Sequence, residues 1–262
     1  VDEAYFGTSG EAILHPKNKY HRIQRTWWER GLAASEAWFD ENEEPMTMGD
    51  TYVRIERDYD ENRNVIAERT YGPDGQKIAR KDGYDEIRRE YDENNKPIRY
   101  EYYLNGEPVL NVQGIAIMTQ SYDENGLVVE EAYFGTAGEA VCHARNKYHR
   151  IQRTWWEKGL AASEAWFDEN ENPMTMGDNY VRIDKDYDDH KNVIEIRYYD
   201  AEDCLILCNN GYAIVRREYN ENNQMTAETW YDTEGNPAKN KDGYIRKVIT
   251  YDAEGKATET FE

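Results

Sequence analysis

The sequence lacks long apolar runs and has few cysteines, and each shortage argues against a class of protein. No run approaches the roughly 18 apolar residues that a membrane-spanning helix needs, and no basic segment followed by an apolar one opens the chain. Cys142, Cys204 and Cys208 are too few and too unevenly placed for a disulfide framework. We therefore expect neither membrane insertion nor a disulfide scaffold, and localisation stays open.

Positive charge and phenylalanine are also scarce. The chain has 32 basic residues against 53 acidic ones, a net charge of −21, which repels phosphate backbones and makes nucleic acid an improbable partner. It has 22 Tyr and 7 Trp but only 5 Phe. Apolar burial must therefore depend on amphipathic rings, as is typical of thin layers rather than of a thick aliphatic core.

The tyrosines reveal an internal repeat. A spacing of 32 residues connects a series in which Ile115 takes the place of one tyrosine: Tyr20, Tyr52, Tyr84, Ile115, Tyr148, Tyr180, Tyr212 and Tyr244. These positions mark the starts of eight units, at residues 20, 52, 84, 115, 148, 180, 212 and 244, after a partial unit at 1–19. The stretch from Glu3 to Asp60 nearly recurs from Glu131 to Asp188, an offset of 128, which indicates duplication of a four-unit block.

Each unit has the pattern of a β-hairpin. Turn-forming residues such as Asp60, Asn62 and Asn64 lie between segments in which apolar and polar residues alternate. The stretch from Trp28 to Phe39 has helix-favouring residues, but it aligns with strands elsewhere and is assigned as strand. The sequence predicts an all-β, solenoid-like tandem-repeat array of about eight 32-residue hairpin units.

Charge suggests the register of pairing within a hairpin. A four-residue loop places Arg57 opposite Glu68 and Arg153 opposite Glu164, so that opposite charges meet across the strands. The same register places Ile23 opposite Trp38. In three of the units it also sets the aromatic residue that precedes the turn opposite an isoleucine, and these isoleucines are Ile66, Ile98 and Ile194. A lone hairpin is marginally stable, so neighbouring units must cover each other's apolar faces.

These units resemble known repeat families. The segment from Gly83 to Asn94, and the one from Gly243 to Gly255, look like the Tyr-Asp-rich tandem hairpin repeats of bacterial surface proteins. They are more loosely similar to the aromatic hairpin repeats of choline-binding proteins and of the carbohydrate-binding arrays of clostridial toxins. The resemblance implies a bacterial, cell-surface or extracellular context in which these repeats form an accessory, glycan-handling region.

No catalytic, metal-binding or cofactor-binding motif is found. The sequence has no phosphate-binding glycine loop, no nucleophile elbow and no helical histidine pair. Asp60-x-Asn62-x-Asn64 has a calcium-like spacing but lacks the glycine and the distant glutamate of a calcium loop, so a solvated turn is expected. Carboxylates recur once per turn, whereas a catalytic pair is needed once. We expect a protein that is not an enzyme.

Two tryptophans depart from the repeat. Trp28 and Trp156 occupy a turn position that is Asp or Asn in the other six units. Strict alternation points the ring of Trp28 to an outer face with Gln24, Thr26, Ala33, Ser35, Ala37 and Phe39, and Phe167 is the counterpart of Phe39. Trp28, Trp156, Phe39 and Phe167 are therefore candidate ligand-binding residues. The alternative is that each tryptophan packs against a connector or a neighbouring repeat.

Two functions remain open at this point. In the first, exposed aromatic rings bind a cell-surface glycan or a choline-bearing polymer, with one site in the first unit and one in the fifth. In the second, the array is a structural spacer that contacts protein domains of its parent chain and binds no small ligand. Mutation of Trp28 and Trp156 would separate them.

Overall fold

The computed structural model describes residues 2–262, in which the regular elements are all β-strands. The prediction of an all-β hairpin array is confirmed, and the stretch from Trp28 to Phe39 is strand. None of the described residues forms a helix long and apolar enough to cross a membrane. The strands are β1 (Asp2–Ala4), β2 (Arg22–Glu29), β3 (Leu32–Phe39), β4 (Arg54–Tyr59), β5 (Val65–Tyr71), β6 (Glu86–Tyr91), β7 (Pro97–Leu104), β8 (Glu107–Pro108), β9 (Ile117–Tyr122), β10 (Val128–Phe134), β11 (Arg150–Glu157), β12 (Leu160–Phe167), β13 (Arg182–Tyr187), β14 (Val193–Tyr199), β15 (Ile214–Tyr219), β16 (Met225–Tyr231), β17 (Arg246–Tyr251) and β18 (Ala257–Phe261).

The chain divides into two compact units, each of which contains several of the 32-residue repeats; in the description of the fold, the first and second unit are these two. The first contains the described residues up to Gln120 together with Ala132–Lys147, and the second contains Ser121–Glu131 and Tyr148–Glu262. The first unit holds hairpins β2–β3, β4–β5 and β6–β7, and the second holds β11–β12, β13–β14, β15–β16 and β17–β18. The second strand of one hairpin pairs antiparallel with the first strand of the next, as β3 does with β4.

A hydrogen-bonded turn closes most hairpins. In β4–β5 the Asp60 N–H donates to the Asn64 carbonyl at 3.0 Å, and Asp60 Oδ1 accepts the N–H groups of Asn62 and Asn64 at 3.0 and 2.8 Å. Arg63 takes a left-handed backbone with φ of 70°, which completes a three-residue loop. The side chain of Asp60 thus organises the turn, as the sequence predicted for a solvated turn.

The Arg–Glu part of the predicted register is confirmed. Arg57 pairs with Glu68, Arg153 with Glu164 and Ile23 with Trp38. The pairing predicted for the aromatic residue before the turn is wrong. Tyr59 lies opposite Val65, because the register shifts between Asp58 and Tyr59. The loop has three residues, not the four we assumed, and a β-bulge absorbs the difference. Ile66, Ile98 and Ile194 are the residues left without a strand partner in their hairpins.

Hairpins β2–β3 and β11–β12 have longer strands and tighter turns than the others. Glu29 pairs with Leu32, so only Arg30 and Gly31 form the loop, and Gly31 has a φ of 86°. The register shifts on both sides of Trp27, which leaves Trp28 without a partner opposite it. The same irregularity occurs in β11–β12 and leaves Trp156 in the equivalent position. Strict alternation of side chains therefore ends at these bulges.

The apolar layer of each compact unit is built largely from positions that recur in the repeat. In the first unit Tyr20, Ile23, Trp38 and Ile55 form a buried cluster against which Tyr52 packs. In the second unit the corresponding cluster contains Ile196, Val215 and Trp230, with Tyr198 and Tyr212 packed against it. Because each cluster joins residues of consecutive hairpins, burial depends on contacts between neighbouring repeats.

A ladder of ion pairs crosses the same layer. In the first unit Arg25 Nε lies 3.0 Å from Glu36 Oε1, Arg57 Nη1 lies 2.8 Å from Glu36 Oε2, and Arg57 Nε lies 2.9 Å from Glu68 Oε2. Arg80, from the following connector, contacts the other oxygen of Glu68. Arginines and glutamates thus alternate along successive strands, so each hairpin is joined to the next by charge as well as by apolar contact.

The aromatic residue before each turn also joins neighbouring hairpins. The Tyr59 hydroxyl donates to the Ala33 carbonyl at 2.9 Å, and the Tyr91 hydroxyl donates to the Val65 carbonyl at 2.8 Å. In the second unit Trp155 Nε1 donates to the Val128 carbonyl, also at 2.8 Å. An amphipathic ring is required here because it packs as an apolar group and still supplies a donor at its tip. This explains why tyrosine and tryptophan outnumber phenylalanine.

Candidate functional site

The two unusual tryptophans each stack on the neighbouring repeat. The Trp28 and Tyr59 ring centroids lie 5.3 Å apart, and those of Trp156 and Tyr187 lie 5.4 Å apart, with an interplanar angle of 27° in both pairs. Trp28 remains 43% exposed and Trp156 42% exposed. The packing expected in the alternative interpretation is therefore present, and it still leaves a large part of each indole open to solvent.

Strict alternation places the neighbouring Trp27 on the face opposite to that of Trp28. Both rings are nevertheless exposed, Trp27 at 44% and Trp28 at 43%. Trp28 instead meets Tyr59, the ring that precedes the turn of the next hairpin. The register shifts on both sides of Trp27, so two-residue alternation cannot be extended through Trp28.

Phe39 and Phe167 do not join the tryptophans. The Arg22 guanidinium lies 3.8 Å from the centroid of the Phe39 ring, and Arg150 covers Phe167 at the same distance. Phe39 pairs with Arg22 and Ala33 pairs with Trp27, so six residues of β3 separate the two ends of this hairpin. At about 3.3 Å per residue that is roughly 20 Å. Within each of these hairpins, the phenylalanine and the tryptophan therefore do not share one site.

A surface hollow lies beside Trp156. It has a volume of about 370 Å³ and is lined by Asp123, Asn125, Leu127, Trp155, Trp156, Glu157 and Lys158. This volume is at the lower end of the roughly 300–1,000 Å³ found for small-molecule sites. The turn from Asp123 to Leu127 forms one wall and the end of strand β11 forms the other. Indole surface, a leucine, carboxylates and an amide therefore meet in one concave place.

Asp123 carries a carboxylate oxygen that is not used by its own turn. Its Oδ1 accepts the N–H groups of Asn125 and Leu127 at 3.0 and 2.8 Å, as Asp60 does in its turn. In the Asp60 turn, however, the Asn64 side-chain amide also binds Oδ2, at 3.0 Å. Leu127 occupies the place of Asn64 and has no amide to offer. Oδ2 of Asp123 is thereby left available to a ligand group.

The remaining charges of the hollow are partly balanced. Glu157 forms an ion pair with Lys191, which belongs to the turn of the next hairpin, and Lys158 stands in the two-residue turn that follows Glu157. One acid of the hollow is thus neutralised by a neighbour while Asp123 is not. The hollow therefore offers the carboxylate of Asp123 as a hydrogen-bond acceptor for neutral polar groups or for a cationic group.

A second hollow matches the small-residue face that the sequence predicted. It has a volume of about 330 Å³ and lies on hairpin β11–β12, where its lining includes Gln152, Thr154, Ser163 and Ala165. Neither tryptophan of this hairpin lines it. The small outer face therefore exists, but the indole platform expected above it does not.

The turn carboxylates are poorly suited to acid catalysis. The Asn64 side-chain amide and the backbone N–H groups lower the pKa of Asp60, and the backbone N–H of Asn172 lowers that of Asp168. A general acid at neutral pH needs a raised pKa instead. Within residues 2–262, no cluster of three or more His, Cys, Asp or Glu side chains is placed to hold a metal ion.

Among the seven residues that line the hollow, the sequence pattern singled out only Trp156, and the six that it missed include Asp123, Leu127 and Trp155. Trp155 looked like an ordinary repeat position, and Asp123 like one more turn acid. A signal was available in Leu127, because most other turns carry Asn, Lys or another polar residue four places after the acid. Its importance depends on the tryptophan of the next hairpin, a long-range proximity that no local pattern contains.

No family model and no curated protein matches the chain. It is similar to a number of solved structures, among them the following two. One is the crystal structure of TcdB2-TccC3 without its hypervariable C-terminal region, at 11% identity and a TM-score of 0.32, over 99% of this chain and 15% of that one. The other is the Photorhabdus luminescens Tc holotoxin pore, at 9% identity and a TM-score of 0.31, over 100% of this chain and 15% of that one. The chain therefore spans about 15% of the length of these structures.

Proposed function

We propose that this chain is a non-catalytic repeat module that binds a repeating cell-surface glycan through the hollow beside Trp156. The observation that supports it is the meeting of Trp155, Trp156 and Leu127 with the unused oxygen of Asp123 in one concave surface. A choline-bearing polymer is the other ligand with suitable chemistry, because an indole face and a carboxylate also attract a quaternary ammonium group.

The physical basis is stacking combined with hydrogen bonding. The apolar face of a sugar ring packs on an indole, while Asp123 and Asn125 accept or donate hydrogen bonds at its hydroxyls. Stacking on Tyr187 already fixes the orientation of Trp156, so less side-chain entropy is lost when a ligand binds. A hollow of this size suits one unit of a polymer and weak single-site affinity.

The matching site that the sequence predicts at Trp28, in the first repeat, is not part of this proposal. Trp28 has the same bulge and the same ring partner as Trp156. The hollow with Asp123 and Leu127 is lined by Trp156, which belongs to the fifth repeat. The binding that we propose for these residues is therefore centred on the fifth repeat.

A spacer role is the second candidate, and one observation favours it. The aromatic rings outside the hollow are engaged within the protein: arginines cover Phe39 and Phe167, and Trp28 stacks on Tyr59. Such surfaces hold repeats in a fixed geometry and need no ligand. In this role the array contacts protein domains of its parent chain.

A glycan array and a choline titration, each with four proteins, separate the two functions. Wild-type protein and Trp28→Ala should bind the same polymer, whereas Trp156→Ala and Asp123→Asn should lose most of the signal. Trp28→Ala is the matched control because Trp28 stacks on an equivalent tyrosine and has a similar exposure but does not line the hollow. No binding by any of the four folded proteins favours the spacer, whereas equal binding by all four excludes this hollow as the binding site.

A further inference from the structure

Three Asn-Gly sequences occur in the chain, and the structure holds them differently. They are Asn105-Gly106, Asn125-Gly126 and Asn210-Gly211. In an Asn-Gly sequence the backbone nitrogen of the glycine can attack the side-chain carbonyl of the asparagine, because no Cβ on the glycine hinders the approach. Whether this attack occurs depends on whether the glycine N–H donates a hydrogen bond and on how firmly the turn is held in place.

The glycine N–H donates a hydrogen bond in two of the three Asn-Gly sequences. Gly126 N–H donates to the Asp123 carbonyl at 2.9 Å, and Gly211 N–H donates to the Cys208 carbonyl at 2.8 Å. The turn at Gly211 is also held by its neighbour, since the Lys241 N–H donates to the Asn210 carbonyl at 2.7 Å. Each of these glycines must therefore break a hydrogen bond before its nitrogen can move toward the asparagine side chain.

Asn105-Gly106 is different. These two residues form the loop between Leu104 and Glu107, which pair with each other, and both loop residues are exposed. They have φ angles of 55° and 90°, typical of a two-residue hairpin turn in which the second N–H points away from the strands. In the described residues Gly106 N–H has no acceptor. Its nitrogen can move without the loss of a hydrogen bond.

We propose that Asn105 is the preferred site of spontaneous backbone-assisted deamidation in this protein. The Gly106 nitrogen attacks Cγ of Asn105, a C–N bond forms, and the side-chain nitrogen leaves as ammonia, which takes up the proton released by Gly106. Water then opens the resulting succinimide at either carbonyl and gives aspartate or isoaspartate. No oxidant, reductant or enzyme is required.

The position of Asn105 gives the modification a structural consequence. Its backbone N–H donates at 2.8 Å to Oδ2 of Asp85, a carboxylate with no exposed surface and with no hydrogen-bond partner at its other oxygen. The product places a new carboxylate on the residue that supports this buried acid. Isoaspartate also lengthens the main chain by one methylene within a two-residue loop, which the pairing of Leu104 with Glu107 cannot absorb without rearrangement.

Peptide mapping of aged protein tests the proposal. The full chain is incubated at mildly alkaline pH in its native state and, as a control, in denaturant, and the three asparagines are followed by mass spectrometry. In the native protein Asn105 should convert about threefold to tenfold faster than Asn125 or Asn210, the effect of one hydrogen bond on a rate. In denaturant the three rates should become similar.

Two results would overturn this inference. One is native conversion at Asn125 or Asn210 that is as fast as at Asn105. The other is a preference for Asn105 that persists in denaturant, which would assign it to local sequence and not to the fold. Asn105→Asp, compared with Asn125→Asp, checks the consequence: only the former should lower the melting temperature, since only Asn105 contacts a buried carboxylate.

Discussion

Removal of Glu68 should destabilise the first unit more than removal of any exposed acid. The Glu68 side chain is only 13% exposed and bridges two arginines, Arg57 at 2.9 Å and Arg80 in direct contact. Burial raises the pKa of Glu68, but the charges and hydrogen bonds of Arg80 and Arg57 outweigh burial and leave this pKa below its ordinary value. The carboxylate is therefore ionised at neutral pH and stabilised by both neighbours.

The size of the destabilisation depends on which partners each arginine keeps when Glu68 is removed. In Glu68→Ala, Arg57 keeps Glu36 at 2.8 Å, whereas Arg80 loses its contact with Glu68 while its Nε is already buried without a partner. Breaking a fully buried pair costs about 3–5 kcal/mol. Because Arg80 is 14% exposed and Arg57 is 22% exposed, we expect a somewhat smaller loss, about 2–4 kcal/mol.

Urea unfolding followed by circular dichroism measures this loss. Glu61→Ala is the matched control, because Glu61 is an exposed turn residue and its removal should change the free energy of unfolding by less than about 0.5 kcal/mol. A double-mutant cycle with Arg80→Met should give a coupling of at least about 1 kcal/mol. If Glu68→Ala unfolds at the same urea concentration as Glu61→Ala, the ladder does not stabilise the fold as described.

Three further predictions follow from the same structure. Because the pKa of Glu68 is lowered in the folded state, the stabilisation that Glu68 provides is present above its ordinary pKa of 4.5 and is lost as the pH falls through the folded-state pKa. In that pH range the urea midpoint of the wild type should decline more steeply than that of Glu68→Gln. Tyr91→Phe leaves the Val65 carbonyl without its donor at 2.8 Å and should cost about 0.5–1.5 kcal/mol in urea unfolding, with no change in circular dichroism. Gly211→Ala should destabilise more than Gly235→Ala, because both have positive φ but only at Gly211 would a Cβ lie 3.4 Å from the next connector's backbone; equal unfolding midpoints would contradict this.

Much of the fold was predictable because the repeat supplies many copies of the same evidence. The charge pairing of Arg57 with Glu68 recurs in Arg217 with Glu228, so the register could be read from the sequence and is confirmed. The length of the hairpin loop could not be predicted from the repeated charges in this way. A bulge adds one residue to one strand without changing composition or periodicity, and this is why Tyr59 pairs with Val65 and not with Ile66.

The candidate site was predictable only in part. Trp156 stands out in the sequence because it replaces a turn acid, and the structure does place it beside a hollow. Phe167 was included through strict alternation along the strand, but it lies under Arg150 at the far end of the hairpin. Asp123 and Leu127 were missed because their meeting with Trp156 is made by packing between consecutive hairpins, which residue spacing alone does not specify.

The most direct test of the central claim is the affinity of one glycan polymer, identified on the array, for wild-type protein and for Trp156→Ala. We expect at least a tenfold loss of affinity in Trp156→Ala with an unchanged circular dichroism spectrum, a weaker effect in Asp123→Asn, and near wild-type affinity in Trp28→Ala. Unchanged affinity in a folded Trp156→Ala protein, or an equal loss in Trp28→Ala, would contradict a binding site at this hollow.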